Sequence, residues 1–167
     1  ATIAAAGKNL KQVFDMIFVK EKNPTITPPS VSVSCPQAKT YEVGETVTPS
    51  YTATLNAGSY QYGPATGITA TAWNVQNTNS NQLTTNTGTF DAIQVTDDTD
   101  YYITATATYG DGAVPVTNVG NQYTAGQIKG GTKTGTSGHI KGYRAGFYGT
   151  LTSKTGTVDS ALVRGLT

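Results

Sequence analysis

The first regular pattern along the chain is an apolar stripe with helical spacing. Apolar side chains recur at intervals of three and four residues, at Leu10, Val13, Phe14, Ile17 and Phe18. This period predicts an amphipathic helix from about Lys8 to Glu21, which ends before Pro24 because the residue preceding a proline disfavours helical backbone. So wide a stripe needs a partner surface, and the neighbouring sequence offers none.

From Ser30 onward the apolar period changes to two, which is typical of strands with one buried face. The clearest alternating runs cover residues 31–35, 47–55 and 101–109, and Phe90, Ile93 and Val95 supply a further strand. Ile68, Ala70 and Ala72 alternate in the same way, but Trp73 falls on the opposite parity. We therefore expect a bulge or bend near Ala72.

The predicted strands are short and are separated by turns rich in Gly, Asn and Asp, with no helical segments between them. This arrangement favours a mainly β fold, an antiparallel sandwich over residues 30–119 with Trp73 and Ile103 in its core. Residues 1–29 would form the helix and a proline-rich connector. Residues 120–167 would form a Gly/Thr-rich arm: a long loop over 122–138, a docking strand over 139–151 and a short helix over 158–166.

The order of strands resembles that of bacterial immunoglobulin-like domains. The features that carry the resemblance are a Tyr/Ala strand over 47–55, a strand bearing Trp73, and the runs GTFDAIQV and DDTDYYITATATYGDG. The resemblance implies that these are strands B, C, E and F of an immunoglobulin-like β-sandwich, with an Asp-rich corner before a tyrosine-bearing F strand. The chain lacks the cysteine pair of antibody domains, since Cys35 is its only cysteine.

The composition argues against several classes of function. Charged residues make up 13% of the chain and the formal net charge is +1, so no long-range field favours nucleic acid or an anionic membrane. The longest apolar run is too short for membrane insertion. His139 is the only histidine, and no nucleophile or paired carboxylates stand in a catalytic frame around it, so the sequence predicts no enzyme.

Three aspartates before the last long strand are candidate metal ligands. Asp97, Asp98 and Asp100 lie close together in sequence, and calcium prefers carboxylate oxygens. The alternative is that these side chains cap the turn by accepting hydrogen bonds from backbone N–H groups. We expect no resident cofactor, with calcium as the one candidate.

Two tyrosines in the segment SYQYGP, Tyr60 and Tyr62, are candidates for stacking on sugar rings. The segment reads as an exposed loop, and aromatic faces pack against the C–H faces of pyranoses. Trp73 is a third candidate for such a platform, but the immunoglobulin-like resemblance implies that it lies in the core.

The segment HIKGYRAGFYGTL combines aromatic rings, an arginine and glycines. Such a mixture is found in single-strand nucleic-acid binders, but a nearly neutral chain lacks the basic groove that those proteins use. Glycines beside rings also let a second backbone approach closely. We therefore predict a docking strand, and the predicted interface residues of the whole chain are Leu10, Phe14, Ile17, Phe18, Tyr143, Arg144, Phe147 and Tyr148.

The chain as a whole resembles phage structural proteins that carry immunoglobulin-like modules, of the tail, baseplate and head-fibre kind. The resemblance is carried by KNLKQVFDMIFVKEKNP, the threonine-rich strands, GDGAVPVTNVG and GYRAGFYGTL. It implies a non-catalytic virion protein that displays its sandwich and docks through its terminal segments. The implied partners are other virion proteins, further copies of the chain (a trimer is favoured) and a host-surface glycan. The alternative is a secreted carbohydrate-binding module or adhesin.

Overall fold

The computed structural model describes residues 7–144, apart from the side chains of residues 15 and 16. Within that range the protein is mainly β. Its elements are helix α1 (Leu10–Phe18), strands β1 (Ile26–Thr27), β2 (Ser30–Ser34), β3 (Thr40–Glu42), β4 (Thr46–Val47), β5 (Ser50–Asn56), β6 (Ser59–Tyr60), β7 (Ala70–Asn77), β8 (Gln82–Leu83), β9 (Thr87–Thr89), β10 (Ile93–Gln94), β11 (Asp100–Tyr101) and β12 (Ile103–Tyr109), a 3₁₀ turn (Thr124–Gly126), and strands β13 (Gly131–Thr136) and β14 (Ile140–Tyr143).

Two larger antiparallel sheets organise these strands. One has the order β2-β5-β9, and the other has the order β13-β12-β7-β8. Smaller pairings join β1 to β6 and β4 to β10. A third group has the order β11-β14-β3, in which β14 runs antiparallel to β11 and parallel to β3.

The inward faces of the two larger sheets meet in one hydrophobic core. Alternation on β12 turns Ile103 and Ala105 inward, and β5 contributes Tyr51 and Ala53 from the other sheet. Ile103 is fully buried, as the sequence predicts. The Tyr51 and Phe90 rings stack with centroids 5.6 Å apart, and the lone thiol of Cys35 is also buried in this core.

The bulge predicted near Ala72 is confirmed. Thr108 of β12 pairs with Ala72 of β7, but the next residue, Tyr109, pairs with Ala70, so Thr71 is the extra residue. Trp73 then faces the same side as Val75, opposite Ala107. The prediction that Trp73 is fully buried is wrong. Its side chain is only half-buried and packs against the margin of the core.

The loop predicted over residues 122–138 is wrong for its second half. Strand β13 pairs with β12 over six residues, from Thr104–Thr136 to Tyr109–Gly131. The sheets therefore draw on residues beyond 119, where the sequence pattern placed the end of the sandwich. The division of the chain at residues 29 and 119 stays a prediction.

The predicted docking strand is partly incorporated into the fold. Ile140–Tyr143 forms β14, with β11 on one edge and β3 on the other. Ile140 is 0% exposed and belongs to the core. Both edges of β14 are thus occupied within the chain, so this stretch cannot add itself as a strand to another protein. Phe147, Tyr148 and the helix predicted over 158–166 lie outside the described residues.

Helix α1 begins where a reciprocal capping pair forms. The Gln12 backbone N–H donates to Asn9 Oδ1 at 2.9 Å, and the Asn9 N–H donates to Gln12 Oε1 at the same distance. These bonds satisfy two backbone donors at the helix start. The helix is shorter than the range predicted from the apolar period, which extends from about Lys8 to Glu21.

Candidate functional site

The predicted apolar stripe of α1 lies on the outside of the described protein. Leu10 is 73% exposed, Phe14 50%, Ile17 49% and Phe18 77%. The Phe14 and Phe18 rings stack on each other, with centroids 6.1 Å apart. An apolar face in water forgoes the free energy that burial would supply, roughly 25 cal/mol for each Å².

Polar contacts connect the segment after α1 to the loop that follows β12. The Glu21 carboxylate accepts from the Thr117 hydroxyl at 2.9 Å and from the Asn121 amide at 2.8 Å. The Lys22 N–H donates to Asn118 Oδ1 at 2.7 Å. We call these contacts the polar clasp. The hydrogen bonds from Asn121 and Thr117 lower the pKa of Glu21, so the clasp favours the ionised carboxylate.

Sequence reasoning missed this clasp. Its loop partners lie in TNVGN, which reads as an ordinary turn. The 96 or more residues that separate Glu21 and Lys22 from their partners leave no local pattern to detect. The clasp fixes the segment that follows α1, while the apolar stripe of the helix is exposed.

Two ion pairs flank strand β14, at the end of β12 that lies away from the polar clasp. His139 Nδ1 lies 2.5 Å from Asp100 Oδ1, and the Arg144 guanidinium donates to the Asp97 carboxylate. The Tyr102 ring packs against the His139 ring, with centroids 4.8 Å apart. These contacts connect the corner before β12 to the residues on either side of β14. Arg144, a predicted interface residue, is therefore paired within the chain, while Tyr143 stays 49% exposed.

The three candidate calcium ligands do not form one group. Asp97 pairs with Arg144 and Asp100 pairs with His139, whereas Asp98 borders a concavity of about 240 Å³ together with Thr78 and Gln94. Among residues 7–144, no three His, Cys, Asp or Glu side chains are placed to hold a metal ion together. The carboxylates of Asp97 and Asp100 act here as partners of basic side chains, which the sequence pattern did not predict.

We predict that Asp100→Asn will destabilise the protein near neutral pH and that this effect will vanish in acid. The hydrogen bond from His139 lowers the pKa of Asp100 in the folded state. The carboxylate therefore stabilises the fold above the ordinary aspartate pKa of about 4, and this contribution is lost as the pH falls through the lowered folded-state pKa. Urea midpoints at neutral and acidic pH measure the change.

Asp98→Asn is the matched control, because the Asp98 carboxylate has no ion pair within the described range. An Asp100→Asn protein whose loss of stability is the same at both pH values would contradict the prediction.

Tyr60 and Tyr62 do not form a shared sugar-stacking platform. The Tyr60 hydroxyl accepts the Ile128 N–H at 3.0 Å, and its ring lies in a concavity of about 330 Å³ with Thr66 and Ile68. Tyr62 lies instead in a groove of about 500 Å³ between α1 and loop residues 116–120. Both side chains are half-buried. Ligand binding at either tyrosine stays a prediction.

No helix in the described part of the chain has the length and apolar content that a membrane crossing requires.

Comparison of the chain with protein-family models, with curated proteins and with solved structures finds no match.

Proposed function

We propose that this chain is a structural display protein of a virion. In this proposal an immunoglobulin-like sandwich is presented outward, while the terminal segments dock onto further copies of the chain and onto other virion proteins. The virion setting rests on the resemblance of the sequence to phage structural proteins, and the docking role rests on the geometry of α1.

The strand order supports an immunoglobulin-like sandwich. In such domains the C, F and G strands share one sheet, with an added C′ strand in the variable type, and A, B and E share the other. Strands β7, β12, β13 and β8 have the first arrangement, and β2, β5 and β9 have the second. The last strand of the described range, β14, pairs in parallel with the early strand β3.

The observation that carries the docking role is the exposed stripe of α1. Four large apolar side chains on nine helical residues face solvent, while the polar clasp fixes the segment that follows the helix. An isolated helix of this length is marginal in water. Burial of the stripe against a partner would both stabilise α1 and remove its apolar surface from water.

The two ends of the described chain lie at opposite ends of β12. The clasp joins the segment after α1 to the loop after Tyr109, whereas Arg144 contacts Asp97 in the corner before Ile103. The seven residues of β12 span roughly 23 Å at about 3.3 Å per residue. Segments that dock from both ends can therefore reach partners on opposite sides of the sandwich, as a display module between two neighbours requires.

Replacing Phe14 and Phe18 together by serine will reduce self-association of the protein. Both rings are at least half exposed and stack on each other within the stripe, and aromatic anchors at an interface commonly cost about 2 kcal/mol or more when truncated. Light scattering gives the mass of the double variant and of the unaltered protein at matched concentrations.

The matched control is Phe14→Leu with Phe18→Leu, which keeps the stripe apolar and should retain the assembled mass. Thermal melting confirms that the β-sheets of each variant remain folded. A serine variant with unchanged mass would contradict the docking role.

A further inference from the structure

The outer face of the β13-β12-β7-β8 sheet carries no charged side chain over its paired region. The ladders place three rows of residues on this face, each opposite its neighbours on the adjoining strands. None of these side chains is buried. The rows consist of Gln82, Gln76, Thr104 and Thr136, then Asn74, Thr106 and Thr134, then Ala72, Thr108 and Thr132.

The hydroxyls on this face are held in register. Thr106 and Thr134 lie 2.9 Å apart at their oxygens, and Thr104 and Thr136 lie 3.4 Å apart. Neighbouring strands are about 4.8 Å apart, and side chains on one face repeat about every 6.7 Å along a strand. The result is a regular array of hydroxyl and amide groups, and we call it the neutral face.

A concavity of about 280 Å³ lies at one end of the neutral face, lined by Gln76, Asn77, Thr78, Ser80, Tyr102 and Thr104. Tyr102 contributes a half-buried ring to it. The Gln76 amide, the Ser80 hydroxyl and the Tyr102 hydroxyl have no hydrogen-bond partner in the described part of the chain. These free donors and acceptors are available to a ligand.

The backbone beside the concavity is held in a conformation that side chains disfavour. Ser80 has φ 65°, and it is the one non-glycine residue with positive φ that the described range contains. Its N–H donates to the Asn77 carbonyl at 3.0 Å, and the Asn77 N–H donates to the Asn81 carbonyl at 3.1 Å. This left-handed residue closes the turn between β7 and β8, and the turn places the Ser80 hydroxyl beside the concavity.

We propose that this concavity and the adjoining neutral face bind a neutral glycan. A pyranose presents an apolar C–H face, which suits the part of the Tyr102 ring that His139 does not cover, and hydroxyls that suit the Gln76 amide and the Ser80 hydroxyl. The carboxylates of Asp98 and Asp100 border the neighbouring concavity, which Thr78 also lines, and they disfavour an acidic sugar. Binding here does not require assembly through α1, so the inference goes beyond the proposed function and can fail independently of it.

The experiment is a titration of isotope-labelled protein with neutral hexasaccharides of glucose, mannose and galactose, and with a hexuronate, followed by amide chemical shifts. At least one neutral hexasaccharide should shift the amides of Gln76, Ser80 and Tyr102. Tyr102→Ala and Gln76→Ala should each weaken that binding by about tenfold, the loss expected for one stacking or hydrogen-bonding contact.

Tyr62→Ala is the matched aromatic control, since Tyr62 is half-buried but lies in a different groove, and it should bind normally. The amide spectrum of each variant shows whether it remains folded. The proposal is overturned if no neutral hexasaccharide shifts these amides, if the hexuronate binds as tightly, or if Tyr62→Ala abolishes binding while Tyr102→Ala does not.

Discussion

Replacement of Ile140 by alanine will lower the free energy of unfolding by about 2–5 kcal/mol, the range for removing a large aliphatic side chain from a packed interior. Ile140 is fully buried in the common core. It lies at the start of β14, opposite Tyr101 of β11. Truncation leaves a cavity that both neighbouring strands, β11 and β3, would have to move to fill. Urea or guanidinium unfolding at neutral pH measures the loss.

Tyr143→Ala in the same strand is the control. Tyr143 is about half exposed, so its truncation should cost much less, within about 1 kcal/mol. If both variants were equally stable, β14 would be a loosely held segment, as a free docking strand would be. The prediction therefore distinguishes a core strand from a docking strand at this position.

Gly135→Ala will also destabilise the protein strongly, by about 3 kcal/mol, because β13 runs close to the edge of β2. An added Cβ at Gly135 would lie 2.4 Å from the Val31 carbonyl oxygen and 2.9 Å from its carbon. Both are backbone atoms that cannot move without disturbing the β2–β5 ladder. Overpacking of this kind typically costs 1–3 kcal/mol or somewhat more when rigid backbone must shift.

Gly131→Ala provides a control at the other end of the same strand. The nearest atom to its added Cβ is the Tyr109 hydroxyl at 4.0 Å, so alanine fits without displacement. Equal melting temperatures for the two variants would show that β13 and β2 are not packed as closely as described.

The interior strands could be predicted from the sequence because their buried faces are lined by large or regularly alternating apolar residues. Ile103, Ala105 and Ala107 on β12 have a strict period of two, and that period fixes their inward face. The change in apolar alternation at Trp73 also predicted the bulge. The half-exposure of Trp73 could not be predicted, because parity assigns a face but not a distance from the centre of the core.

Strand β13 could not be predicted because its inward positions are Gly131, Lys133 and Gly135. The close approach of Val31 leaves no room for a large side chain at Gly135, so the hydrophobic signal that marks other strands is missing. Its outward threonines are equally compatible with a loop. The pairing with β12 is set by tertiary contacts alone.

The ion pairs around β14 could not be predicted either, because their partners lie far apart along the chain. Asp97, Asp98 and Asp100 suggest a cation site when only their sequence spacing is considered. The partners of Asp97 and Asp100 are Arg144 and His139, which lie 47 and 39 residues later. Carboxylates of this kind cannot be distinguished from metal ligands until the strand that carries the basic side chains is placed. The exposed stripe of α1, by contrast, follows directly from its period.

We expect hydrogen exchange of α1 to depend on protein concentration, because its exposed stripe is proposed to dock against another copy of the chain. The amides of residues 10–18 should become better protected as the protein concentration rises, while those of Ile103–Tyr109 should exchange at a constant rate. Exchange of the α1 amides that is equally fast at every concentration would contradict docking of this helix between copies of the chain.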